Sequence, residues 1–191
     1  MGNTRRAFIG QGFAIGGAGL LALATAGRGS PSRLPGSGAS DRSLRSLTDE
    51  NVKTLDALGE VLLPGSAHEG FAHYIDHHLS VPLEQSLLMI KYLGVRPPFI
   101  EFYKTGLAGV EAAARQRFGK GFAVLAAADA HALVTQIAGG TVAGWSGPPA
   151  ALFYFVLRSD AVDVVYGTTA GFDKLAVPYM AHIVPPTPWG K

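Results

Sequence analysis

Between residues 47 and 166 the apolar residues of this chain recur at helical spacing, in runs that proline or glycine cuts short. No run shows the sustained alternation of a half-buried strand. Val52, Leu55, Leu58 and Leu62 form the first stripe. Thr48 stands before it as an N-cap, with Asp49 and Glu50 suited to the first turn. Leu47 and Val52 occupy the two positions of a hydrophobic staple, and Pro64-Gly65 ends the run. A shorter helix is predicted over 71–79, and a third between Pro82 and Gly94. Pro97 and Pro98 then open a long helix striped by Phe99, Phe102, Tyr103, Gly106, Val110 and Ala114. Gly106 and Gly109 weaken that helix unless a neighbour packs close against it. After a turn at 119–121, Phe122, Leu125, Ala132, Leu133 and Ile137 fall on one side of a further helix that stops at Gly139-Gly140. The aromatic run 148–166 has strand-forming residues, but its length and lack of alternation predict a buried helix.

The last residues change character. Pro178, Pro185, Pro186 and Pro188 exclude a regular helix and favour extended chain. Phe172, Tyr179, Met180 and Trp189 stand among them and need a surface to cover, either this domain's own or a partner's. The fold expected is all-α: a single domain of five or six helices over 47–176, with an extended Pro-rich C-terminal arm over 177–191.

The front end reads differently. Arg5 and Arg6 precede a charge-free stretch over 7–26. About 20 apolar residues are long enough to span a bilayer, but five glycines interrupt this stretch. Arg5-Arg6 with Phe8-Ile9 match the core of a twin-arginine export signal, and Ala24-Thr25-Ala26 fits the small-residue cleavage pattern. Residues 1–26 are therefore expected to be a signal peptide for the periplasm. Residues 27–46, rich in Gly, Ser, Pro and Arg, are expected to be a flexible linker. Without the two signal arginines, 14 basic residues face 14 acidic ones. No Lys/Arg cluster is arranged to track phosphates, so a nucleic-acid partner is not expected.

Catalytic signatures are sparse. The chain has no cysteine, which removes disulfides, thiolate metal ligands and C-x-x-C-H haem attachment. There is no P-loop, no G-x-S-x-G elbow and no G-x-G-x-x-G after a strand. His68, His73, His77 and His78 lie close in sequence, and His73 and His77 share a helix face as a zinc-binding pair requires. The glutamate of H-E-x-x-H is missing from "HYIDH", and no third ligand is clearly placed. The main reading is surface or structural histidines with no metal site; a stand-alone metal-dependent enzyme using His73 and His77 is the rival, and a lone periplasmic scaffold a second. Asp160 and Asp163, three apart, read as solvated helix charges, with Arg158 as a partner.

Six stretches in order carry a resemblance: "TRRAFI" at the front, "LLPG" at 62–65, "YID" at 74–76, "FYKTGL" at 102–107, "VVYGTTAGFDKL" at 164–175 and "PYMAHIVPPTPW" at 178–189. Together they resemble the small subunit of gluconate 2-dehydrogenase and related sugar dehydrogenases. One departure is "YGTTAGF", where many such subunits carry a "YGGN"-like segment. The resemblance implies a non-catalytic subunit with no cofactor of its own. FAD would reside in a glucose–methanol–choline type flavoprotein partner and haem c in a multihaem cytochrome subunit. The small subunit would stabilise the flavoprotein and carry it through the twin-arginine translocase, to work on the periplasmic side of the inner membrane. Tyr166, Phe172, Pro178, Tyr179, Met180, His182 and Trp189 are the expected partner contacts; no catalytic, cofactor-binding or metal-binding residue is expected in this chain.

Overall fold

The computed structural model describes residues 44–176, which lie within one compact unit, Ala39–Lys191. The signal residues Arg5, Arg6, Phe8, Ala24 and Ala26, most of the linker and the C-terminal arm fall outside the described residues. Among those described there are six α-helices and no strand: α1 (Asp49–Leu62), α2 (Phe71–Ser80), α3 (Ile100–Phe118), α4 (Ala127–Ala138), α5 (Ala150–Tyr166) and α6 (Thr169–Lys174). The all-α class is as the spacing predicts, and the aromatic run 148–166 is helical.

Helix α1 packs against α2, α3, α4 and α5. Its start follows the sequence closely. Thr48 Oγ1 accepts the Asn51 N–H while the Asn51 side chain accepts the Thr48 N–H, a closed capping box. Leu47 is buried and Val52 packs against the same core. The lead-in is held from α2: Asp76 accepts the backbone N–H groups of Arg45, Ser46 and Leu47 at 2.9–3.0 Å. Arg45 and Ser46 were expected to belong to the flexible linker. Their backbone N–H groups both donate to the Asp76 carboxylate.

Glu111 joins three elements. Its Oε1 accepts Thr54 Oγ1–H of α1 at 2.8 Å and the Phe122 N–H at 3.2 Å, and its Oε2 lies 3.5 Å from Arg115 one turn along α3. Phe122 is buried in a single 3-10 turn, Phe122–Val124, and α4 starts only at Ala127. The helix expected to carry Phe122 and Leu125 is thus shorter at its start, while Ala130, Leu133, Val134 and Ile137 form its buried stripe.

The two glycines of α3 meet the condition stated for them. A Cβ on Gly106 would run into the ring of Phe153 from α5, and one on Gly109 would lie 2.6 Å from the Ser146 carbonyl oxygen. Both allow other parts of the chain to approach the α3 backbone more closely than an alanine would.

The segment 82–94 departs from expectation. It forms two 3-10 turns, Leu83–Gln85 and Met89–Leu93, with extended backbone at Ser86 and Leu88 between them. Side chains capture the backbone groups that a helix would have paired. Lys91 Nζ donates to the carbonyls of Glu84 and Ser86 at 3.1 and 2.9 Å, and the Met89 N–H donates to Asp160. Leu88 and Ile90 are buried by this arrangement.

Candidate functional site

The most unusual side chain of the described residues is Asp160. The sequence reads it as a solvated charge, but it is fully buried on α5. Its Oδ1 accepts the Met89 N–H at 2.8 Å and its Oδ2 accepts the Tyr103 hydroxyl at 2.7 Å. Arg158 is exposed and is not among these partners. One carboxyl therefore ties α5 to α3 and to the second 3-10 turn. Burial pushes its pKa up to about 7; the two donors oppose the rise and Asp163 adds to it. Burial and the Asp160 charge raise the Tyr103 phenol as well.

A sequence signal for this burial existed. Phe153, Val156, Leu157, Asp160, Ala161 and Val164 are all buried on α5. Asp160 interrupts an otherwise apolar helical stripe, whereas Asp163, three residues on, is exposed.

Asp76 has the opposite character. Burial works to raise its pKa, but the N–H donors of Arg45, Ser46 and Leu47, with His73 nearby, outweigh burial and hold it below the ordinary value. The reading that Asp76 caps or pairs is correct, and its target is the entry to α1.

The histidines do not assemble a site. His68, His73 and His77 are exposed. His78 is half-buried: its Nδ1 accepts the Leu87 N–H at 3.3 Å, and its ring packs edge-on to Tyr74 and His77. Burial, then His77 and Lys91, lower its pKa. Among the described residues, no three His, Cys, Asp or Glu side chains gather as a metal-binding group.

Of the expected partner contacts, Tyr166 ends α5 and Phe172 lies on α6, both half-buried. Pro178, Tyr179, Met180, His182 and Trp189 lie outside the described residues. Two surfaces are apolar without having been flagged by the sequence. On α5, Phe155 and Val162 are exposed two turns apart, on the face that continues to Tyr166. Along 83–93, Leu83, Leu87, Tyr92 and Leu93 are exposed. Periodicity did not reveal them because the apolar residues of α5 are not confined to one face and 83–93 is not a regular helix. Among the described residues no helix is long and apolar enough to cross a membrane.

No curated protein and no solved structure matches this chain. A family model described as gluconate 2-dehydrogenase subunit 3 matches residues 49–184, which takes in all six helices. By that match, which covers well over half of its length, the chain belongs to the gluconate 2-dehydrogenase subunit 3 family.

Proposed function

We propose that this chain is the non-catalytic small subunit of a periplasm-facing, FAD-dependent sugar or sugar-acid dehydrogenase. Membership of a family described as a dehydrogenase subunit carries the reading. In it, residues 1–26 are the twin-arginine signal, 27–46 link it to the helical domain, and the catalytic flavoprotein binds the domain and travels with it. FAD belongs to that partner and haem c to a multihaem cytochrome subunit that passes electrons onward at the inner membrane. This chain's tasks are stabilisation and export. The exposed apolar face of α5, with Phe155, Val162 and Tyr166, supports the reading, because apolar residues at helical spacing on an otherwise packed helix suit a protein partner. Phe172 and the end of the C-terminal segment around Trp189 extend that contact.

The export role has its own test. Arg5→Lys with Arg6→Lys leaves the charge unchanged but removes the paired guanidinium groups. The expected result is that both this chain and the flavoprotein stay in the cytoplasm and periplasmic sugar oxidation disappears. Persistent periplasmic oxidation in that variant contradicts the carrier role.

A further inference from the structure

Leu87 lies between the two 3-10 turns, flanked by extended backbone at Ser86 and Leu88. Side chains of α2 hold both of its backbone polar groups. The Leu87 N–H donates to His78 Nδ1 at 3.3 Å, and the Leu87 carbonyl accepts the Tyr74 hydroxyl at 3.3 Å. Tyr74 and His78 stand one turn apart on a shared face of α2, and their rings meet edge-on with centroids 4.5 Å apart. The rest of the stretch is tied elsewhere: Lys91 Nζ bridges the Glu84 and Ser86 carbonyls, and the Met89 N–H donates to Asp160 on α5. Beside His78 opens a cleft of about 210 Å³, lined also by Leu83, Ser86, Pro97 and Pro98. A cavity of about 150 Å³ already holds a benzene ring, so this side of the stretch has room to shift.

The two holds on Leu87 differ in one property. A phenol donates for as long as it keeps its proton. Burial, then Asp160, Asp163 and Tyr92, keep the Tyr74 proton in place well beyond neutral pH. An imidazole nitrogen accepts only while it carries no proton. Once Nδ1 of His78 is protonated it becomes a donor facing the Leu87 donor. The charged or titratable groups around His78 are its neighbour His77, at a ring-centroid distance of 4.9 Å, and Lys91 of the second 3-10 turn. Among the described residues lining the cleft, His78 is the only ionisable one. Asp160 behaves otherwise: protonated or not, a carboxyl keeps an oxygen that can accept the Met89 N–H.

We propose that Tyr74 and His78 form a pH-sensitive latch on the apolar stretch 83–93. With His78 neutral, the latch fixes Leu87 against α2; with His78 protonated, the Leu87 backbone is freed while Met89 stays held by Asp160. Burial, then His77 and Lys91, keep the folded-state pKa of His78 below its ordinary 6.5. The stability that the closed latch contributes is therefore present above about 6.5 and is lost as pH falls through the lowered value. The latch belongs to the chain alone and does not depend on the proposed dehydrogenase partner.

The test is amide hydrogen exchange of the full chain, followed by NMR and corrected for the intrinsic rate at each pH. Between pH 7.5 and pH 4.5 the Leu87 amide is expected to lose about three- to tenfold of its protection, the worth of one ordinary hydrogen bond. The loss follows the titration of the His78 ring signals, and the Met89 amide keeps its protection. His78→Phe retains a ring but no acceptor, so its Leu87 amide is expected to exchange fast at both pH values. Tyr74→Phe is expected to weaken protection at both while leaving the pH dependence intact. Constant Leu87 protection across the range overturns the proposal. So does a loss that Met89 shares in step, or a pH dependence that survives in His78→Phe.

Discussion

Asp160→Ala is expected to lower the unfolding free energy in urea by roughly 2–4 kcal/mol, because a buried donor and a part-buried one, the first costing about 1–3 kcal/mol when left unpaired and the second less, lose their acceptor. Those donors are the Met89 N–H and the Tyr103 hydroxyl. Asp160→Asn separates the charge from the shape. The folded-state pKa is about 7 against an ordinary 3.8. Between those values the native state holds a proton that the unfolded chain has released. The stability tied to that proton is complete below 3.8 and is lost as pH rises through about 7. At full linkage the loss is about 4 kcal/mol. Urea titrations from pH 4 to pH 7 are therefore expected to show the native chain losing more stability than Asp160→Asn by about that amount, since the raised Asp56 and lowered His78 titrate alike in both. The same slope in both would contradict the account of Asp160. Asp76 does not obscure the result. Its lowered pKa gives stability that is present above the ordinary carboxylate value and lost only as pH falls through the lowered one.

Gly106→Ala is the second large effect. An exposed helix would gain roughly 1 kcal/mol from this change. Here the new Cβ meets the ring of Phe153, which packs against Phe102 and Trp145 at centroid distances of 5.8 and 6.0 Å. The ring is fully buried, so it has little room to retreat. Overpacking of this kind costs about 1–3 kcal/mol, so a net loss of stability is expected by urea denaturation, and a larger one for Gly106→Val. A gain in Gly106→Ala would mean that α3 and α5 separate without penalty.

The two glycines show what the sequence could say about packing. Two in one helix imply a close neighbour, but not which one; Phe153 and the Ser146 carbonyl are known only from the fold. The start of α1 was fully legible because its cap, its box partner and its staple are all local. So was α5, whose length decides between helix and strand. The segment 82–94 was not legible. Its composition suits a helix, and the groups that override it, Asp160 and Lys91, act through tertiary contacts. Asp160 itself was misread because its spacing to Asp163 resembles a solvated pair, although its place in the stripe of α5 pointed inward. The candidate partner surfaces depend on which apolar residues the core leaves uncovered, and spacing alone does not decide that.

The central claim is that this chain is a subunit of a flavoprotein dehydrogenase. It is tested most directly by purifying the chain from its own cells through a tag placed after Lys191. The account predicts a co-purifying large protein in equal amount, with the absorbance of bound FAD, and its loss when Phe155→Glu and Val162→Glu are introduced together on α5. Recovery of the chain alone, folded and free of any flavoprotein, would contradict it.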